Sequence, residues 1–200
     1  MTTAILPLQA LSARTDDADT AVVRAMASGD AAALTELYAR HGGGVLSYLL
    51  GRVIDRRMAE ELLQDVMLAA WRGAPAFRGD ARVRTWLLTI AHNRSINAMR
   101  RRQVVTVELA PRQVDPRGGT NGLPDHTTDR LDLRRAVDCL PEDQRTALDL
   151  VFFHELSIAE AARVLGVAEG TVKSRLHRAR GTLRERLRQR AEPARAQDPS

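Results

Sequence analysis

The stretch LSIAEAARVLGVAEGTVKSRLHRAR, residues 156–180, decides how the C-terminal part of the chain folds. Ser157 can cap a first helix, and Glu160 stands three residues later, where it completes a capping box. Gly166 follows the last apolar residue of that helix, at the position where a left-handed residue ends a helix. A second run of apolar residues at helical spacing resumes at Val172. The pattern predicts two helices joined by a tight turn, a helix-turn-helix.

The second helix of this pair combines an apolar stripe with a basic face. Residues 169–190 contain eight Lys or Arg and two acids, whereas residues 131–168 contain four basic residues and seven acids. A merely solvated face usually mixes both signs, so this excess favours contact with a polyanion. The apolar stripe holds Val172, Leu176, Ala179, Leu183 and Leu187. The opposite side holds Lys173, Ser174, His177 and Arg178, side chains of the kind that reach base edges in a DNA major groove.

Helical periodicity also extends over residues 19–102. A short helix precedes Asp30, which is placed to cap the second helix, and Asp55 is placed to cap the third. The third helix ends near a glycine and a proline, and the fourth runs from about Thr85 to Arg102. The N-terminal half is therefore predicted to be a helical domain.

One segment of the second helix conflicts with helix propensity. The sequence HGGG, residues 41–44, puts three consecutive glycines inside it. Each glycine in a helix interior costs about 1 kcal/mol relative to alanine, so the continuity of this helix is open. A phosphate-binding loop is excluded because no Gly-Lys-Ser/Thr sequence follows the glycines.

The fourth helix carries two different faces. The face predicted to pack in the core holds Leu87, Leu88, Ala91, Ser95, Ala98 and Met99. The other face suits nucleic acid, because amides read base edges, arginines hold phosphates and an aromatic ring stacks on an unpaired base. It holds Trp86, Ile90, Asn93, Asn97, Arg100 and Arg101, and the loop before the helix adds Arg78, Arg82 and Arg84. For Trp86 alone, a buried core anchor is the favoured alternative.

The third helix presents an acidic face beside these basic surfaces. Its predicted exposed positions are Glu60, Glu61, Gln64, Asp65 and Leu68. Such a face can dock another protein by charge complementarity, or it can simply be solvated. Periodicity alone does not decide between the two interpretations.

The composition changes between the two helical halves. Residues 111–129 contain three Pro and three Gly, which is typical of a flexible linker. The fold class is therefore predicted as all-α, with two small helical domains on a flexible tether. The predicted boundaries are a disordered lead-in at 1–18, a helical domain at 19–103, a linker at 104–130, the helix-turn-helix domain at 131–190 and a polar tail at 191–200.

Cysteine usage and hydropathy indicate the compartment. Cys139 is the only cysteine, which fits a reducing cytosol, and its apolar surroundings predict a role in core packing. The first residues lack a basic start and a long apolar run, so no signal peptide is expected. No stretch approaches 18 consecutive apolar residues, so no membrane span is expected. The predicted location is cytoplasmic.

Taken together, three stretches resemble a bacterial RNA polymerase sigma factor of the extracytoplasmic-function (ECF) type. They are AEELLQDVMLAAWR (59–72), FRGDARVRTWLLTIAHNRSINAMRRR (77–102) and LPEDQRTALDLVFFHELSIAEAARVLGVAEGTVKSRLHRARGTLRERL (140–187). Each stretch is moderately specific, and their order with a linker between them is highly specific. The resemblance covers roughly residues 20–188.

The resemblance implies roles for particular residues. The N-terminal domain looks like the second conserved region, in which Glu61, Gln64 and Asp65 dock on the largest subunit of core RNA polymerase. Its loop and fourth helix would capture unpaired −10 bases with Arg82, Arg84, Trp86, Asn93, Asn97, Arg100 and Arg101. The C-terminal domain looks like the fourth region, in which Lys173, Ser174, Arg175, His177 and Arg178 contact the −35 duplex. The implied partners are promoter DNA, the largest and second-largest polymerase subunits and a cognate anti-sigma factor.

The sequence also departs from the family pattern. Asn97 stands where the family often has an acid, so the −10 preference is expected to differ. The glycines at 42–44 are a second departure. The polar sequence after residue 190 predicts no additional regulatory domain of the sort that some members carry.

Two other classes of function remain as alternatives. A stand-alone helix-turn-helix regulator would bind duplex DNA without polymerase, but it does not need an aromatic and amide face for single strands. An enzyme acting on nucleic acid needs a carboxylate cluster or an activated nucleophile. Glu60, Glu61 and Asp65 are a possible cluster, but the adjacent Glu60 and Glu61 splay apart on a helix. The histidines and Cys139 lack metal-ligand spacing. We expect no metal, cofactor, small-molecule substrate or catalytic residue.

Overall fold

The computed structural model describes residues 8–53, 55–108 and 136–191, and every regular element in these ranges is helical. The chain divides into two compact units, Met1–Thr120 and Asn121–Ser200. The helical elements agree with the predicted all-α class, and the division agrees with the predicted two domains. Most of the predicted linker and most of the predicted tail lie outside the described residues.

Four long helices build the N-terminal unit, and aspartates cap two of them. Asp30 accepts a hydrogen bond from the backbone N–H of Ala32 at 2.9 Å, and Asp55 accepts one from Met58 at 2.8 Å. Each cap satisfies a backbone donor that has no partner within its own helix. Both predicted caps are therefore confirmed. The helices are α1 (Leu8–Ala27), α2 (Ala31–Leu50), α3 (Arg56–Gly73) and α4 (Val83–Glu108), with a short 3₁₀ turn at Ala74–Ala76.

The prediction of a disordered lead-in through residue 18 is wrong from Leu8 onward, because α1 begins there. Long-range contacts stabilise this helix. Asp19 is 4% exposed, and its carboxylate lies 2.9 Å from Nη1 of Arg40 and 2.9 Å from Nε2 of His41, both on α2. The hydrogen bond to Asp19 raises the pKa of the Arg40 guanidinium above its ordinary value.

The helix α4 is also longer than predicted. The linker was expected from residue 104, but α4 continues to Glu108. Residues 104–108 read VVTVE, and β-branched residues have only a modest helix penalty when they extend an existing helix. Local propensity at this point is therefore a weak guide to where the helix ends.

The triple glycine does not interrupt α2, which is continuous from Ala31 to Leu50. Leu37, Val45 and Tyr48 are buried on either side of the glycines, so tertiary packing offsets their low propensity. Gly42 is itself buried under an aromatic ring, because a Cβ there would stand 3.4 Å from Cδ1 of Tyr38.

The core of the N-terminal unit lies where α2, α3 and α4 meet. The predicted inner face of α4 is confirmed for Leu87, Leu88, Ala91 and Ser95, each at most 1% exposed. Ala98 and Met99 are only half-buried. Apolar contact therefore weakens towards the C-terminal half of α4.

The C-terminal unit contains the predicted helix-turn-helix. Ser157 accepts a hydrogen bond from the N–H of Glu160 at 3.2 Å and donates its own N–H to the Glu160 carboxylate at 2.9 Å. Gly166 ends the first helix with a φ of 64°, the left-handed conformation predicted for it. The elements are α5 (Glu142–Leu148), a π-helical segment (Asp149–Phe153), α6 (Ile158–Leu165) and α7 (Glu169–Ala191).

The apolar stripe of α7 is buried over only part of its length. Val172, Leu176 and Ala179 are at most 5% exposed, whereas Leu183 is half-buried and Leu187 is 37% exposed. The last turns of α7 therefore extend beyond the packed core of the C-terminal unit.

The prediction that Cys139 packs in the core is wrong, because this side chain is exposed. Residues 136–138 are helical, and Cys139 lies in the turn that follows them. Ala136 and Leu140 are the buried residues of this segment, at 6% and 4% exposure. The helix ends before Cys139, so the helical periodicity that predicted a buried cysteine does not extend to this residue.

Candidate nucleic-acid interface

The outer face of α4 gathers most of the residues predicted for single-stranded DNA. Asn93, Asn97, Arg100 and Arg101 are all exposed. They lie on the side of the helix opposite buried Leu88 and the other core residues. The structure thus brings two amides and two guanidinium groups together on one accessible surface.

Trp86 occupies the start of this face and is half-buried. Its ring lies against Phe77 with centroids 4.8 Å apart, at an angle of 39°. A Cβ on Gly73 would stand 3.3 Å from Cζ2 of Trp86, so the glycine at the end of α3 makes room for the ring. Trp86 therefore anchors the loop before α4 and still keeps part of its ring accessible.

The loop before α4 is tied to α1. Nε of Arg82 lies 2.9 Å from Oδ2 of Asp16, and the Arg82 side chain is 50% exposed. Arg84 follows in the first turn of α4 and is half-buried. A cavity of about 200 Å³ lies between α1 and the loop, with Arg24 and Arg78 among its lining residues. The loop arginines therefore lie beside α1 as well as beside α4.

A buried polar network that the sequence analysis missed fixes α4 against α2. The hydroxyl of Tyr48 lies 2.8 Å from Nδ1 of His92, and both side chains are buried. Ser95 donates to the carbonyl oxygen of His92 at 2.8 Å, and Arg52 donates from Nε to the Ser95 hydroxyl at 3.0 Å. Helical periodicity predicted that Ser95 lies in the core, but it did not predict that its hydroxyl would bind Arg52 and the backbone of His92.

The acidic face of α3 is exposed as predicted. Glu60 and Glu61 each pair with an arginine one turn earlier, at 2.8 Å from Arg56 and 3.1 Å from Arg57. The same face continues with Gln64 and Asp65, both exposed, and with Leu68, which is 45% exposed. An exposed leucine between polar side chains gives this face an apolar contact point.

The first turns of α7 separate the predicted −35 residues into two groups. Lys173, His177 and Arg178 are exposed on the outer side of the helix. Half-buried Ser174 lies beside them and accepts a hydrogen bond from Nη2 of Arg178 at 3.3 Å. Arg175 instead turns towards α5, where it forms an ion pair with an aspartate.

Family models match both helical units of the chain. The sequence model for Sigma-70 region 2 matches residues 37–104, and that for Sigma-70, region 4 matches residues 130–183. The ECF RNA polymerase sigma factor SigM of Mycobacterium tuberculosis is 36% identical over 182 residues, 88% of each chain. The ECF RNA polymerase sigma factor RpoE of Cereibacter sphaeroides is 33% identical over 165 residues, covering 79% of this chain and 88% of that one. The chain belongs to the ECF family of RNA polymerase sigma factors.

Solved structures of sigma factors share the fold. CnrH in complex with the cytosolic domain of CnrY matches with a TM-score of 0.63 and 27% identity, covering 85% of this chain and 97% of CnrH. The sigma factor RpoE of Bartonella quintana, in complex with the anti-sigma factor NepR, matches with a TM-score of 0.61 and 28% identity, covering 73% and 91%. The resemblance drawn from the three motifs is confirmed, and this sigma factor carries both promoter-recognition regions of its family.

A further surface of this sigma factor escaped the sequence analysis. Phe152 and Phe153 are 51% and 68% exposed at the end of the π-helical segment, and the Arg180 guanidinium lies 5.4 Å from the Phe152 ring centroid. The sequence LDLVFFHEL predicts a continuous helix, and its apolar pattern gave no reason to expect exposure. Both rings lie in the π-helical segment, to which the spacing of an α-helix does not apply.

In the described part of this sigma factor, no group of three or more His, Cys, Asp or Glu side chains could hold a metal ion. Among the same residues, no helix is long and apolar enough to cross a membrane.

Proposed function

We propose that this sigma factor binds core RNA polymerase and directs it to promoters by reading two forms of DNA. In this function, α7 reads a duplex −35 element, while α4 and its preceding loop capture unpaired −10 bases. The main support is that each unit presents an exposed face whose chemistry suits one of these DNA forms. The chain itself performs no catalysis.

The start of α7 has the geometry of a recognition helix. Buried Val172 and Leu176 seat it on the unit, which directs Lys173, His177 and Arg178 outward. A helix of this kind places its N-terminal residues in the major groove, where arginine reads guanine through two hydrogen bonds. We assign base reading to the three exposed residues, with Ser174 beside them, and a supporting role to Arg175.

The outer face of α4 fits single-stranded DNA. Asn93 and Asn97 offer donors and acceptors for the edges of unpaired bases, and Arg100 and Arg101 offer charge to phosphates. Trp86 offers part of an aromatic ring for stacking, which is worth about 1–3 kcal/mol per base in single-strand binding. These contacts offset part of the cost of unpairing, so strand capture needs no ATP.

The acidic face of α3 is the proposed docking surface for the largest polymerase subunit. Glu61, Gln64 and Asp65 supply charge and hydrogen bonding around exposed Leu68. Charge complementarity steers association and selects partners. The exposed rings of Phe152 and Phe153 offer a second, apolar surface for contact with core polymerase. A cognate anti-sigma factor is proposed because the matching RpoE structure contains the anti-sigma factor NepR.

Holoenzyme reconstitution tests this function. Purified protein is mixed with core polymerase, and the complex selects fragments from genomic DNA. We expect one class of fragments, whose best member directs transcription only when the sigma factor is present. The double variant Asn93→Ala/Asn97→Ala should lose binding to a forked probe with a single-stranded −10 segment and retain binding to a duplex −35 fragment. Tight binding of a duplex site by the protein as a dimer, without affinity for core, would identify a stand-alone regulator instead.

A further inference from the structure

We propose that α1 is part of the −10 capture apparatus, with Asp16 as a positioning residue that holds Arg82 ready for DNA. This inference rests on the proposed −10 role of the loop before α4. The Sigma-70 region 2 match begins at residue 37, so it does not include α1. The link between α1 and DNA capture comes from the geometry of this chain alone.

The helix α1 is held in one orientation. Val22, Val23 and Met26 are buried, at 6%, 1% and 2% exposure. On the same helix, the buried carboxylate of Asp19 is fixed between Arg40 and a histidine on α2. A helix anchored by three apolar side chains and a partly buried ion pair cannot rotate without breaking these contacts.

This orientation directs Asp16 towards the loop. Asp16 precedes Asp19 by three residues, so the two side chains lie on neighbouring parts of the helix surface. Oδ2 of Asp16 lies 2.9 Å from Nε of Arg82. The side chains are 35% and 50% exposed, respectively, so the pair lies at the protein surface.

Arg82 connects Asp16 on α1 with the beginning of α4. Its carbonyl oxygen accepts a hydrogen bond from the N–H of Trp86 at 3.0 Å, so its backbone forms part of the first turn of α4. A free arginine side chain loses considerable rotamer freedom when it binds a phosphate, and a side chain already held in place loses less. Asp16 thus lowers the entropic cost of using Arg82 for strand capture.

The carboxylate of Asp16 also repels DNA phosphates, and this repulsion opposes its positioning effect on Arg82. The two effects predict opposite signs when the carboxylate is removed. Asp17 is the matched control, since it is an exposed acid on the same helix, one residue away, and directed to a different side. Removing Asp17 reports the general effect of one negative charge on α1.

The experiment uses holoenzyme reconstituted with full-length variants. The probe is a forked DNA made from the best fragment selected by the wild-type holoenzyme, with a single-stranded −10 segment. A duplex fragment that ends upstream of the −10 element serves as the second probe. Asp16→Ala should weaken forked-probe binding about two- to fivefold, as expected for a partly exposed ion pair, and leave the upstream duplex unaffected. Asp17→Ala should not weaken either probe, and Asp16→Glu should bind nearly as the wild type does.

A double-mutant cycle identifies Arg82 as the route of the effect. Arg82→Ala should weaken forked-probe binding, and adding Asp16→Ala to it should cause no further loss. The inference is overturned if Asp16→Ala binds the forked probe equally or more tightly, weakens both probes alike, or acts to the same extent without Arg82. If Arg82→Ala itself binds the forked probe normally, the −10 role of Arg82 fails and the inference fails with it. A loss in Arg82→Ala without one in Asp16→Ala overturns the role of Asp16 alone.

Discussion

Arg175 of α7 forms an ion pair with Asp143 of α5, with 3.2 Å between Nε and Oδ2. The Arg175 side chain is only 21% exposed, although Lys173, His177 and Arg178 on the same helix are exposed. One member of the proposed −35 set therefore contacts the protein behind the helix. Such a contact fixes the rotation of α7 and with it the direction of the exposed basic residues.

Arg175→Ala is expected to weaken −35 duplex binding about two- to fivefold for every base-pair variant of the site, because it loosens the helix and leaves base reading intact. Asp143→Ala should have the same effect, since it breaks the same ion pair from the side away from DNA. Binding titrations against single base-pair variants measure this. A change of preference at one base pair in Arg175→Ala, absent from Asp143→Ala, would show that Arg175 reads DNA directly.

Arg178→Ala is expected to behave differently, because this side chain is exposed on the outer side of α7. The loss should be about 1–3 kcal/mol at the preferred site, with relaxed preference at one base pair. Arg188→Ala is the control on the same helix, because this exposed arginine lies about 15 Å further along α7, where we expect phosphate contact rather than base contact. It should weaken all sites uniformly and reduce the salt dependence of binding. A uniform loss in Arg178→Ala would remove its assignment as a base-reading residue.

Asp65→Lys is expected to reduce the affinity for core polymerase by about tenfold or more, because it reverses a charge at the centre of the proposed docking face. Isolated −35 duplex binding should not change. Competition against wild-type protein for a limiting amount of core measures the effect. Asp17→Lys makes the same charge change on α1 of the same unit and should compete normally. If both variants compete equally poorly, net charge rather than the α3 face governs the association.

Tyr48→Phe is expected to lower the free energy of unfolding of the N-terminal unit by about 1–3 kcal/mol, since it removes a hydrogen-bond partner of buried His92. Tyr38→Phe removes the same hydroxyl from a side chain that is 50% exposed, and it should change stability by less than about 0.5 kcal/mol. Urea unfolding followed by tryptophan fluorescence reports on this unit, because Trp71 and Trp86 both belong to it. Equal effects of the two variants would contradict a structural role for the buried network.

Local signals in the sequence predicted the local structure well. The caps at Asp30, Asp55 and Ser157 and the left-handed Gly166 were predictable because each depends on residues within one turn of it. The sides of α4 followed from a period of 3.6 residues. These local signals determine where a helix begins, where it ends and which of its sides is buried.

The contacts that position the candidate site were not predictable in this way. Tyr48 and His92 are 44 residues apart in sequence, and the ion pair of Arg82 with Asp16 likewise joins separate elements. Periodicity shows which side of a helix is buried. It does not show which other element packs against that side, or which residues of the two elements come into contact. The contacts of α1 were missed for the same reason, because Asp16 and Asp19 pair with residues far away in the sequence.

Gly43 allows a direct test of whether α2 needs its glycines for folding. A Cβ at Gly43 would meet nothing within 4 Å, so Gly43→Ala should stabilise the N-terminal unit by about 0.5–1 kcal/mol through helix propensity. Gly29 also has open space around it, but its φ is 92°, so Gly29→Ala should destabilise the unit by about 1 kcal/mol or more. Tryptophan fluorescence in urea compares both variants with the wild type. If Gly43→Ala instead weakens core polymerase binding while raising stability, the exposed glycine surface of α2 serves a protein contact rather than the fold.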